Sequence, residues 1–280
     1  MQTQEIQGYY NLINMKKILF INLCVLFISC SLIEDLGEID FTQHVDSNNL
    51  RIFGKEDVNP DFLNRVAQSY DAMFEDNSKI DQSMRSHYLT TSLEEHVYQR
   101  VGLEASFEKN EQYAHNTNAP NPYRHNCTDF IWEESRGGPR QINEVIEHLL
   151  HTVTAVILKL AHPNDWGYMK SSSRLRQAMQ EAIDKGVYDI SSYDEMKGDN
   201  EGYNHVITQE YTYWLILAEW DYFIVSGNAQ GGNMTGNGEF TLGIPSEIQE
   251  QLPLGHQLYV DYVEKILSIP DKNTIISLFP

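Results

Sequence analysis

Residues 142–160, INEVIEHLLHTVTAVILKL, constrain the fold more than any other stretch. At about 100° per residue, Ile142, Val145, Ile146, Leu149, Leu150, Val153, Val156, Ile157 and Leu160 fall on one side of a helix. Glu144, Glu147, His148 and His151 fall on the other. An apolar stripe this wide requires burial, so a helix over about 141–161 is expected to pack on a core. Its polar side continues as Thr154, Ala155 and Leu158, which is not how a face in open water continues. A second layer of protein is expected over it, making the helix a cleft floor.

Within that polar side, Glu147 and His151 are four residues apart and His148 and His151 three, so either pair can hold one cation from a single rigid helix. The plain alternative is a solvated helix face. A carboxylate-bridged di-iron site needs E-x-x-H on paired helices, and three residues after Glu144 and Glu147 stand Glu147 and Leu150, so this helix lacks it.

A second informative segment is YNHVITQEYTYWLILAEWDYF, residues 203–223. From about 208 to 224 apolar and aromatic residues surround the helix almost completely, so it is expected to be buried. Glu210, Glu219 and Asp221 are then acids that need a partner or a metal.

Together these segments resemble the zincin metallopeptidases, specifically the lethal-factor-type gluzincins. Glu147-His148-Leu149-Leu150-His151 is an E-H-x-x-H variant of their H-E-x-x-H helix, with the first two residues exchanged. Glu210, opening an aromatic-rich helix, resembles the third zinc ligand, and Tyr203, seven residues earlier, the tyrosine that stabilises the oxyanion. The resemblance implies zinc held by residues drawn from Glu147, His148, His151 and Glu210, with Glu219 and Glu144 in reserve. With Glu147 and His151 as ligands, His148 occupies the general-base position. With His148 and His151 as ligands, Glu144 or Glu147 activates water. A third possibility is a peptidase fold that has lost its chemistry. The implied architecture is α+β and zincin-like, mostly helical with a small sheet, as one domain over 51–280 with a cleft between its N- and C-terminal parts.

The remaining sequence bears on setting. Lys16 and Lys17 precede ILFINLCVLFIS, a run too short to span and be retained, so residues 1–29 are expected to be a signal peptide starting at Met15. Phe27-Ile28-Ser29-Cys30 resembles a bacterial lipobox, which implies lipidation of Cys30, a polar tether over 30–50, and an exported protein anchored at the cell envelope. Cys24 would leave with the signal and Cys30 would carry lipid, so Cys127 remains as a thiol without an intramolecular partner. The net charge of −20 argues against nucleic acid as a partner and fits membrane attachment through lipid alone. No phosphate-cradling or serine-hydrolase motif is present. The expected function is a zinc-dependent peptidase or related hydrolase acting on a peptide or protein. The alternative is a non-catalytic surface lipoprotein that keeps the metal helix and binds a partner or glycan.

Overall fold

A hairpin opens the structure. β1 (Gln43–Ser47) pairs antiparallel with β2 (Leu50–Gly54), and the turn between them puts Asn48 and Asn49 at φ of 43° and 61°. Asparagine tolerates this left-handed region better than most residues, and two such residues match the twist of the flanking strands. The polar tether expected over 30–50 therefore does not reach residue 50. The alternation QHVDS satisfies a strand whose outer side faces water. The computed structural model describes residues 41–109, 119–134, 137–225, 229–230, 233–234 and 238–280. The signal peptide expected over 1–29, Cys30 and the first part of the tether lie outside them.

The sheet continues in the order β1-β2-β3-β4, with β3 (Tyr98–Leu103) parallel to β2 and β4 (Phe130–Glu133) parallel to β3. Parallel strands need a crossover. The first is made by α1 (Pro60–Ala72) and α2 (Gln82–Glu94), and the second begins with α3 (Glu104–Lys109). α1 starts where its sequence dictates: the Asn59 side chain accepts from the Asp61 N–H, and Pro60 takes the first helical position. Its stripe of Phe62, Leu63, Val66 and Tyr70 is buried.

The helix that opened the sequence analysis is α4 (Gly138–His151), prolonged by a π-helix over Thr152–Leu158 and a last α-turn over Lys159–Ala161. Its start is locked by the chain's end. The Gly138 N–H donates to the Phe279 carbonyl at 3.0 Å, and a Cβ on Gly137, at φ +58°, would meet the Pro280 carbonyl oxygen at 2.6 Å. Only glycine fits there.

After α4 come α5 (Arg174–Asp184), a 3₁₀ segment over Ser191–Gly198, and α6 (Asn200–Glu219). Then follow the short hairpin β5 (Ala229–Gln230) and β6 (Asn233–Met234) and α7 (Pro245–Gln251). α8 (Pro253–Leu258) continues as a π-helix over Tyr259–Val263, and α9 (Lys272–Leu278) closes the chain. α6 begins eight residues before the expected 208, because Asp199 caps it by accepting from the Gly202 N–H. From Ile207 to Glu219 every residue of α6 is buried. The fold is mixed and mostly helical with one small four-stranded sheet, in agreement with the α+β expectation. Among the described residues, no helix is long and apolar enough to cross a membrane.

Candidate metal centre

The polar side of α4 is turned against α6 and the loop leading into β4, so the covering layer is built from those two elements. The Thr154 and Thr212 hydroxyls meet at 2.9 Å and pin the two helices together just beyond the histidines. The π-helix begins at Thr152, immediately after His151, where its wider turn changes the facing that regular α geometry would give. His148 is 7% and His151 1% exposed.

The loop contributes Asp129. Thr128 holds φ of 74°, an unfavourable value for a β-branched residue, with its N–H bonded to the Asn126 side chain at 2.7 Å. This turn delivers Asp129 to the helix, and Gln209 of α6 fixes it by donating Nε2–H to Asp129 Oδ2 at 2.7 Å.

Two groups of three potential ligands result, and they share His151. One is Asp129, His148 and His151, and the other is Glu147, His151 and Glu210; within each, the ligand atoms lie within 4.8 Å of one another. His151 Nδ1 lies 3.5 Å from Asp129 Oδ2, and His151 Nε2 lies 3.7 Å from Glu210 Oε1. Neither nitrogen makes a hydrogen bond, although both are fully buried. A buried polar atom without a partner is costly. A tetrahedral zinc with bonds of about 2.0–2.1 Å sets its ligand atoms about 3.3–3.4 Å apart, close to both separations. The residues present therefore fit a cation.

The neutral form of His148 has a defined tautomer. Its Nδ1 lies 2.8 Å from the Glu144 carbonyl oxygen, which can only accept, so Nδ1 carries a proton and the lone pair of the neutral ring is at Nε2. Burial disfavours the charged ring of His148, yet the carboxylates of Glu144, Glu147 and Asp129 outweigh it and lift the pKa to about 9. Burial pushes His151 down to about 4, and the neighbouring Asp129 only partly opposes this. For Asp129 burial is overcome by His151, His148 and Gln209, which hold the carboxyl well below the usual range. Burial also pushes Glu147 up to about 7, against the pull of His148 and with the charges of Glu144, Asp129 and Glu239. Glu210 is raised well above its ordinary value by burial and by the carboxylates of Glu147, Glu239 and Asp129. Carboxylates thus outnumber the groups that can neutralise them.

Of the residues singled out from sequence, Glu147, His151 and Glu210 come together in one group, and His148 joins His151 in the other. Glu219 is in neither. It lies nine residues from Glu210, half a turn round the helix, and its Oε1 is 2.8 Å from His256 Nδ1. Glu144 belongs to neither triad: its Oε1 accepts from the Trp132 N–H of the sheet at 3.0 Å and lies 3.3 Å from the already committed Nδ1 of His148. Tyr203 shares Glu210's face two turns earlier, but its ring packs against the hydrophobic core and it belongs to neither triad. Cys127 is buried with its thiol pushed up to about 12, largely by burial, so it is no nucleophile.

Asp129, Gln209 and Glu239 were not anticipated. Asp129 and Glu239 sit in loops, where no periodicity points to a ligand, and Gln209 differs in no visible way from any other helical glutamine. The one available signal was an acid directly before the short strand FIWE.

Two surface cavities lie away from both triads. One, of about 200 Å³, is lined by residues including Phe62, Arg65, Gln141 and Phe279, and the other, of about 340 Å³, by residues including Asp46, Arg51, Leu93 and Tyr123. Among known proteins, no family model, no curated protein and no solved structure matches the chain.

Proposed function

We propose that the protein is a metal-dependent hydrolase, with zinc held by Glu147, His151 and Glu210, acting on a peptide or protein at the bacterial cell envelope. The observation that carries this reading is His151: a fully buried imidazole with both nitrogens unpaired, each facing a carboxylate at the spacing of two ligands on one ion. Bound there, zinc supplies a Lewis acid that polarises a carbonyl and acidifies water.

The protein's own groups do the rest. His148 keeps its Nδ1 proton on the Glu144 carbonyl, and once its second proton is lost it presents Nε2 to take a proton from water. Asp129, held by Gln209, faces His151 Nδ1 at 3.5 Å. Glu147 is steadied by Asn143, whose Nδ2–H donates to its Oε2 at 2.8 Å, and Asn143 in turn accepts from the Tyr213 hydroxyl at 2.6 Å. Tyr203, on the same face of α6 as Glu210, is assigned the role of donor to the substrate oxygen.

The edge of the sheet favours a second reading. In a parallel strand the N–H and C=O of one residue point to the same side, and the outward groups of Trp132 on β4 are taken by Glu144 and by Gln141, whose Nε2–H donates to the carbonyl at 2.9 Å. An extended peptide cannot pair with β4 there, which suits a non-catalytic lipoprotein that binds metal without cutting. Metal analysis of the purified protein and cleavage of a peptide library separate the two. Stoichiometric zinc, lost in His151→Ala, with cleavage abolished in His148→Ala, is expected. Zinc without cleavage leaves the second reading, and no zinc removes both.

A further inference from the structure

His151 belongs to both ligand groups, but it does not offer the same atom to each. Its Nδ1 faces Asp129 and its Nε2 faces Glu210, on opposite sides of the ring. One ion in front of Nε2 leaves Nδ1 as a buried, unpaired atom, and the converse holds for an ion in front of Nδ1. His148 can offer only Nε2, after losing its proton there, because its Nδ1 is committed to the Glu144 carbonyl, and it is grouped with Asp129 and His151. Each nitrogen of His151 therefore has its own carboxylate and at least one further ligand.

We propose that the centre takes two divalent cations that share His151 as a bridging imidazolate. One lies at Nδ1 with Asp129 and His148, the other at Nε2 with Glu147 and Glu210. The ring's remaining proton passes to solvent as the second ion loads. Two ions carry four positive charges, matched by three carboxylates and one imidazolate, and both nitrogens of His151 gain a partner. The inference rests on the hydrolase reading for the ion at Nε2 and adds the ion at Nδ1. It has a consequence for that reading: His148 Nε2 can take a proton or hold the second ion, not both, so the doubly loaded protein is the less active form.

The test is metal stoichiometry. The purified protein is dialysed to equilibrium against zinc, freed of unbound metal and analysed, with the isosteric variants Asp129→Asn and Glu210→Gln alongside. Two equivalents are expected for the wild type and one for each variant. With copper(II) as the probe, electron paramagnetic resonance reports the bridge: the signal of the first equivalent should fall when the second is added, because a shared imidazolate couples the two spins. One equivalent in the wild type overturns the pair and leaves the single-ion hydrolase standing, whereas none overturns both. Two equivalents in either variant, or a copper signal that doubles, overturns the shared ring.

Discussion

Glu144 Oε1 accepts a hydrogen bond from the Trp132 N–H at 3.0 Å, so an acid on the metal helix serves the edge of the sheet instead of the metal. The same residue's main-chain carbonyl fixes the tautomer of His148. Glu144→Ala leaves the Trp132 N–H without its partner, and the expected loss is about 1–3 kcal/mol of stability, the usual penalty for an orphaned donor. Glu144→Gln keeps an acceptor in place and should lose less. Denaturant melts size the effect, and hydrogen exchange at the Trp132 amide locates it: protection should fall in the alanine variant and persist in the glutamine one. Both variants should keep wild-type metal content, and loss of metal would make Glu144 a ligand after all.

His151 is expensive to bury in the metal-free protein. His151→Leu removes two unpaired nitrogens at a site that is 1% exposed, beside the ring of Tyr213 at 5.9 Å. The metal-free variant should be more stable than the metal-free wild type by about 1 kcal/mol. It should also lose the response to metal. At zinc one hundred times its dissociation constant the wild type gains about 2.7 kcal/mol, a gain that a chelator removes and that the variant never shows. Thermal melts with zinc and with chelator measure both. Equal zinc stabilisation in the variant would rule out His151 as a ligand.

The envelope assignment depends on Cys30 in the segment LFISC. In a bacterial host the wild type should sediment with membranes and incorporate labelled fatty acid. Cys30→Ala should do neither, while the folded domain, which is described from residue 41 onwards, stays intact. Fatty-acid labelling that survives the substitution would move the anchor elsewhere.

Helical periodicity made the main helices legible, but not the parallel strands β3 and β4. The two faces of α4, the stripe of α1 and the all-round burial of α6 follow from residue spacing alone, because a regular helix turns side chains by a constant angle. That Glu147, His148 and His151 share a face was likewise readable from spacing, whereas Glu210 was singled out among the acids of α6 only by the resemblance to the gluzincins. Asp129 was not, because its position depends on the turn at Thr128 and on Gln209 across the interface, neither of which leaves a periodic trace. Glu219 misled for the opposite reason. An acid on a buried helix needs a partner, but His256, distant in sequence, supplies it.

The protonation pattern makes metal binding depend on pH in a defined direction. Glu147 is pushed up to about 7 and His148 to about 9, whereas His151 is pushed down to about 4. Near pH 6 the metal-free site therefore holds Glu147 and His148 in their protonated forms and His151 as a neutral ring. An ion must displace the proton of Glu147 to use that carboxylate, so affinity falls as pH drops through 7. Between pH 8 and pH 6 the loss due to Glu147 alone is about tenfold, and Glu210, also raised, adds to it. No further step should appear near the ordinary histidine value of about 6.5, because His151 stays neutral until the pH approaches 4. Calorimetric zinc titrations between pH 5.5 and 8.5, repeated in buffers of different ionisation enthalpy, give the affinity and the protons released. Release of at least one proton per zinc at pH 6 is expected, and an affinity that does not change with pH would contradict the placement of Glu147 among the ligands.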